Sequence, residues 1–134
     1  HNARERVIVC SLNESILDEY RKIDPSTATG AAPKEVLGFY TLDKLFMGGL
    51  HKPRSNVYEV PIPSFIKRVS GWGFGTNLDS PAFIKKAHSL GQKVFHWTAN
   101  DADTIKKLVQ NGSNGVMTDR VDIGLEAFKE LGLK

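Results

Sequence analysis

Short apolar runs alternate with amphipathic stretches along this chain, and that alternation restricts the fold more than any other feature. Val7-Ile8-Val9-Cys10 is a continuous apolar run, as expected for a strand covered on both faces of a parallel sheet. Asn13 is placed to cap a helix with Ile16, Leu17, Tyr20 and Ile23 on one face, and Asp24-Pro25 ends it. Thr27 to Gly30 gives the weakest strand signal. Pro33 to about Phe46 is a second amphipathic segment, with Val36, Leu37, Tyr40 and Leu45 or Phe46 on its apolar side and Gly48-Gly49 at its end. Val57 to Pro61 reads as a strand, and residues 70–80, rich in glycine and aromatics, as a loop at a rim. Ser80-Pro81 opens a helix carrying Phe83, Ile84, Ala87 and Leu90, which Gly91 stops. Lys93 to Thr98 is a strand. Asn100 or Asp101 caps a helix with Ile105, Leu108 and Val109, and Gly112 stops it. Gly115 to Thr118 is the last strand, and a final helix runs from a cap at Asp122 to Gly132.

Repeated strand–helix–strand units with short loops imply an α/β fold with a parallel sheet and right-handed crossovers. At 134 residues the chain has the length of one ordinary domain. It is too long for one βαβ module and well short of the roughly 250 residues of a whole (β/α)8 barrel. Five candidate strands are present, where half a barrel takes four. A half barrel leaves two bare edges and an uncovered inner face, so the pattern alone implies a partner surface. With 40% hydrophobic and 25% charged residues the chain should fold rather than stay disordered. A net charge of +3 on scattered residues, among them Arg21, Lys85, Lys86, Lys106 and Lys107, reads as a solvated surface and not a nucleic-acid footprint. Cys10, the only cysteine, excludes an intrachain disulfide and a cysteine metal cluster, and its apolar setting predicts a buried, inert thiol. No apolar stretch reaches the ~18 to 20 residues of a membrane span. The chain opens with His1-Asn2-Ala3 and enters a strand-like run by Val7, the beginning expected of a fragment or processed product.

The segment Ser80 to Asp122 resembles the end of the glycerophosphodiester phosphodiesterases. The stretches are SPAFIKKAHSLGQKVFHWTAND and LVQNGSNGVMTDRVD. The matching positions are Ala87-His88, the turn Gly91, Trp97-Thr98-Ala99-Asn100-Asp101 and Gly115-Val116-Met117-Thr118-Asp119. VIVCSLN is similar to the family's strand ending Ser-Phe, with Leu12 in place of the phenylalanine, and STATGAAPKEVLGFY and VYEVPIP also resemble family segments. The resemblance implies the C-terminal half of a TIM-type (β/α)8 barrel, with residues 1–134 a single partial domain. It implies hydrolysis of glycerophosphodiesters to glycerol 3-phosphate and an alcohol by the complete barrel. A divalent metal, Mg or Ca, would be held by carboxylates of the N-terminal half, where two histidines serve as acid and base. None of the His-Arg-Gly, His-Asp or Glu-x-Asp motifs that carry this chemistry occurs here, so this half alone is expected to be inactive. Its partners would be the missing half, or a second copy closing the sheet, and a small glycerophosphodiester. The compartment, cytoplasmic or membrane-associated, is left open.

Three residues are candidates for substrate binding. Trp97 ends a strand on the face where barrel enzymes build their sites; by resemblance it lines a glycerol pocket, and a packed core indole is the alternative. Glu59 lies on a strand, where an inward charge needs a partner, or else it is a solvated edge residue. Asn100, with Thr118 and Asp119, stands in a loop after a strand, and for Asn100 and Asp119 capping or loop structure is the preferred reading. His96 alternates with Trp97 and is expected to face the helices as a core histidine, as is His88 beside its apolar stripe. His51, with Lys52 and Arg54, reads as a wet loop cluster. His1, His51, His88 and His96 lack metal-ligand spacing, and no serine sits on a nucleophile elbow. The run Val36 to Leu50 is similar to an apolar insert of membrane-associated members that cleave lysophospholipids, which makes a lysophospholipid substrate and a membrane surface alternatives; a helix buried against the barrel is preferred. A non-catalytic assembly module is the third reading.

Overall fold

The computed structural model describes residues 4–62 and 77–133, and most of the expected rim loop at 70–80 lies outside them. The chain forms two compact units, His1–Tyr58 with Ser89–Lys93, and Glu59–His88 with Val94–Lys134.

In the first unit β1 (Ile8–Val9) pairs in parallel with β2 (Ala28–Thr29), Ile8 opposite Ala28 and Val9 opposite Thr29. Gly30 bridges Val57 in the same sense. The strand near Thr27 therefore forms. Coverage of β1 is less than expected: Val7, Ile8 and Cys10 are exposed, because within this unit β1 is a short edge strand. Helix α1 (Glu14–Ile23) starts at Asn13, whose side chain accepts the Ser15 N–H at 3.0 Å. Only Leu17 is buried, while Ile16 and Ile23 are exposed, so the expected apolar face narrows to one residue. Polar anchoring supplies the rest. The Arg21 guanidinium donates to Thr29 Oγ1 at 3.0 Å and to the Gly30 carbonyl at 3.2 Å.

Helix α2 (Pro33–Lys44) buries Val36 and Phe39 and exposes Leu37, so its buried face is turned from the expected one. It ends at Lys44, before Phe46. Gly48–Leu50 then forms a 3-10 turn that packs against it. Glu35 ties the start of α2 to the approach to β3 (Val57–Pro61). Its carboxylate accepts the backbone N–H groups of Arg54 and Ser55 at 2.8 and 3.1 Å and the Ser55 hydroxyl at 2.8 Å. Charge-assisted bonds of this kind are about twice as strong as neutral ones. Arg54 itself pairs with Asp18, and the His51 ring lies tilted against Phe39, centroids 5.5 Å apart, rather than in a wet cluster.

In the second unit the strands run in the order β3-β4-β5, with β4 (Lys93–Trp97) central and β5 (Gly115–Val116) shorter than expected. Helices α3 (Pro81–Ser89), α4 (Ala102–Gln110) and α5 (Val121–Glu130) supply apolar faces. Ile62, Ala99, Ile105, Leu108 and Ala127 make one buried cluster. Local signals work well here. The Ser80 hydroxyl accepts the Phe83 N–H at 3.3 Å, and Asp101 accepts the Thr104 N–H at 2.8 Å. Gly112 ends α4 at φ +99°, a left-handed conformation that glycine adopts without strain. Asp122 is not the cap of α5. Arg120 holds that position without a side-chain cap bond, and its guanidinium draws Asp122 into an ion pair in the first turn. His88 is exposed, its Nε2 bonded to Asn114 Oδ1 at 2.7 Å, and so is not the core residue expected.

His96 is the core histidine. It is fully buried, donates from Nε2 to the Leu78 carbonyl at 3.1 Å, and places Nδ1 2.8 Å from the Ser113 hydroxyl. Burial lowers its pKa below 6.5, outweighing the opposing Leu78 carbonyl and Asp79 charge. The unfolded chain then takes up a proton before the folded one. Stability should be whole above the ordinary value of 6.5 and fall as pH drops toward the depressed one, a trend that urea midpoints across this range, paired with NMR titration of His96, will measure. A second test concerns Tyr58, fully buried with no hydrogen-bond partner for its hydroxyl. Tyr58→Phe should leave stability unchanged or raise it by up to about 1 kcal/mol in urea unfolding, since it removes an unsatisfied buried group.

Candidate functional site at the strand ends

Alternation along the strands of the second unit sorts side chains onto two faces. Val60, Val94 and His96 are buried on the helix side, while Glu59, Phe95 and Trp97 are half-buried on the other. Register then decides which of the half-buried residues meet. The Ile62 N–H donates to the Trp97 carbonyl at 2.8 Å, which in parallel pairing sets Glu59 beside Phe95 and Pro61 beside Trp97. Phe95 in turn pairs with Gly115. One row therefore reads Glu59, Phe95, Gly115, and the next, at the C-terminal edge, Pro61, Trp97, Met117.

Gly115 belongs to this row for a steric reason. A Cβ there would come within 3.1 Å of the Phe95 ring, so the missing side chain gives the ring its place. Glu59 and Trp97 thus share a face, one strand apart and on successive rows. The Trp97–Thr98 peptide is cis.

Asn100 is held differently. Its Oδ1 accepts the Thr118 hydroxyl at 3.0 Å and the Asp119 N–H at 2.9 Å, and its Nδ2 donates to Asp119 Oδ2 at 3.1 Å. The side chain clips the loop after β4 to the loop after β5. The Met117 N–H donates to the His96 carbonyl at 2.8 Å and the Ala99 N–H to the Met117 carbonyl at 3.0 Å, so the two loops leave the sheet already paired. Asn100 stands beside the strand ends as a brace, with Thr118 and Asp119.

Among the described residues no three His, Cys, Asp or Glu side chains converge as a metal site, and those present do not fit one. In the first unit an open groove of about 700 Å³ follows the ends of β1 and β2, with Leu12, Ser15, Asp18, Pro33 and Lys34 on its walls. Sequence reading missed this groove and the Phe95–Gly115 row. The alternation of Phe95 with Trp97 was the available signal for the row; nothing local marks the groove, whose walls come from two helix starts.

A model of the glycerophosphoryl diester phosphodiesterase family matches residues 1–123. Among solved structures, a protein of Silicibacter pomeroyi assigned to the glycerophosphoryl diester phosphodiesterases superimposes with a TM-score of 0.66 at 17% identity, over 98% of this chain and 40% of that one. A glycerophosphodiester phosphodiesterase of Parabacteroides distasonis does so with a TM-score of 0.59 at 16% identity, over 96% of this chain and 44% of that one. The chain thus spans less than half the length of these relatives. No curated protein matches it. The fold is α/β, the C-terminal half of a TIM-type (β/α)8 barrel with parallel strands alternating with helices.

The clip can be tested directly. Asn100→Ala removes three hydrogen bonds at an exposed position and should cost about 1–2 kcal/mol in urea unfolding. A midpoint that does not move would mean that the amide braces nothing and is free for a ligand.

Proposed function

The chain belongs to the glycerophosphoryl diester phosphodiesterase family, and from that premise we propose that it forms the substrate-side wall of a barrel that hydrolyses glycerophosphodiesters to glycerol 3-phosphate and an alcohol. The observation that carries the proposal is the face shared by Trp97, at the end of β4, and Glu59, one row below it on β3, within the segment that the family matches. Barrel enzymes assemble their sites at the C-terminal ends of the strands.

The indole of Trp97 offers a flat apolar surface against which the carbon backbone of a glycerol unit packs, with an N–H donor at its rim. Glu59, one row below, offers a carboxylate that accepts from a hydroxyl. Phe95 and Pro61 beside them keep water off that face. These groups position the substrate, and binding in one orientation is itself a large part of catalysis. Attack of water on phosphorus, with the alcohol leaving, needs a general base and a general acid. We assign these, and the carboxylates that would hold a divalent metal, to the strands that complete the barrel. In the intact enzyme the metal would neutralise charge developing on the phosphoryl oxygens.

The test is a coupled assay for glycerol 3-phosphate released from glycerophosphocholine with divalent metal added. The chain alone should show no turnover. Co-expressed with a polypeptide bearing the family's His-Arg-Gly, His-Asp and Glu-x-Asp strands, it should turn over. In that complex Trp97→Ala should lower kcat/KM by roughly ten- to a hundredfold, the scale of losing one large apolar contact. Unchanged kinetics in the Trp97 variant would remove the wall assignment, and turnover by the chain alone would remove the division of labour.

A further inference from the structure

His96 places a titratable ring in the core of the second unit, and the groups around it fix where its hydrogens lie. A carbonyl oxygen only accepts, so the 3.1 Å contact with Leu78 requires a hydrogen on Nε2. The neutral ring carries one such hydrogen, which leaves Nδ1 bare and in need of a donor. The Ser113 hydroxyl, 2.8 Å away, is that donor.

Ser113 has other uses for its single hydrogen. Its Oγ lies 2.9 Å from the Gly115 carbonyl and 3.2 Å from the Val94 carbonyl, both within donating distance. While the ring is neutral the hydrogen turns to Nδ1, and neither carbonyl receives it. A protonated ring reverses the arrangement. Nδ1–H then donates to Oγ, and the hydroxyl hydrogen swings to Gly115, the nearer carbonyl. The chain of bonds now runs from Nε2–H to Leu78, from Nδ1–H to Ser113 and from Oγ–H to Gly115. Both hydrogens of the charged ring are satisfied, and bonds from a charged donor are about twice as strong as neutral ones. A histidine facing donors or apolar groups would have to leave the core to take up a proton. This one has an acceptor waiting at each nitrogen.

The charges around the ring are few. Asp79, directly after Leu78, is buried, and its negative charge favours the imidazolium. Lys107 on α4 pairs with that carboxylate at 2.7 Å and offsets part of the effect. His88 on α3 is exposed and bonded to Asn114. Val60 on β3 and Val116 on β5, the residues set beside His96 in the sheet, are apolar. Desolvation opposes the charged form and is the larger effect, so the proton arrives below the ordinary histidine range. Ser113 is half-buried, which puts the ring one hydroxyl away from solvent.

We propose that His96, Ser113 and Gly115 form a proton switch: a solvent proton taken up at Nδ1 turns the Ser113 hydroxyl from the ring to the Gly115 carbonyl while the fold stays closed. Gly115 pairs with Phe95, so the new tie falls in the row of the strand-end face. The switch does not rest on the hydrolytic reading, and its test involves no turnover.

The experiment is NMR of the full chain, labelled with nitrogen-15 and carbon-13, from neutral pH into the acid range. At neutral pH the His96 side-chain nitrogens should report the Nε2–H tautomer. As pH falls the ring should take up its proton with amide dispersion kept, and the Gly115 carbonyl carbon should shift with the same midpoint. Ser113→Ala should move the His96 midpoint further down, because the charged ring loses the stronger bond, and should erase the Gly115 shift. Ser113→Thr keeps the hydroxyl and should restore both. A serine that merely braces its loop would lower the urea midpoint of the alanine variant and leave the His96 titration where it was, and that result overturns the proposal. So does an Nδ1–H tautomer in the neutral ring, or collapse of the amide spectrum at the His96 midpoint. The tautomer and the Gly115 shift are read on the unaltered chain, so they decide even where a variant does not fold.

Discussion

Parallel pairing sends alternate residues to opposite faces, and both the core and the candidate site depend on it. A slip of one residue in β4 would bring His96 to the face now held by Phe95 and Trp97 and would bury those two against the helices. Val94 and His96 are fully buried where they stand, and the hydrogen bonds of His96 to Leu78 and Ser113 exist only in this register. The imidazole thus acts as a register pin. A buried polar group with two partners penalises every pairing in which they are absent. The same pairing sets Phe95 over Gly115, where a Cβ would crowd the ring at 3.1 Å.

Side-chain bonds to the backbone take over where strands are too short to define the structure alone. Two-residue strands such as β1, β2 and β5 contribute few ladder bonds. Glu35 holds the approach to β3 through two backbone N–H groups, and Asn100 holds the loop after β5 through one. In the second unit Lys107 reaches Asp79 at 2.7 Å, and Asn111 donates to the Asp79 carbonyl at 2.7 Å, tying α4 to the turn before α3. Each tie joins segments far apart in sequence. They supply rigidity that helix propensity or strand length does not.

Local chemistry made much of this legible in the sequence. Ser80, Asp101 and Asn13 cap the helices they precede, and Gly91 and Gly112 end theirs at positive φ, because caps and left-handed stops depend on a few neighbouring atoms. The family was legible for a related reason: the Trp97 to Asp101 and Gly115 to Asp119 stretches are local patterns. Burial was harder to read. Cys10, Ile16, Ile23 and Leu37 look like core in an apolar run or stripe, yet they are exposed, since the face a short helix buries is decided by distant partners. For α1 that partner is polar: Arg21 on Thr29 and Gly30, a bond between residues eight and nine apart that periodicity does not register. Asp122 failed as a cap for a similar reason, because Arg120 two residues earlier captures its carboxylate.

The placement of the ionisable groups limits what the strand-end face can do. Of its six row positions, Glu59, Phe95, Gly115, Pro61, Trp97 and Met117, Glu59 alone can carry a charge. His96, the nearest histidine in sequence to Trp97, is one residue away and therefore on the opposite side, with both ring nitrogens engaged. His88 is on α3 and bonded to Asn114. Glu59 is thus the single ionisable side chain on a face that it shares with two aromatic rings. Acid and base must be in opposite protonation states at once, so this one group cannot serve as both. These two rows therefore hold no acid–base pair of their own.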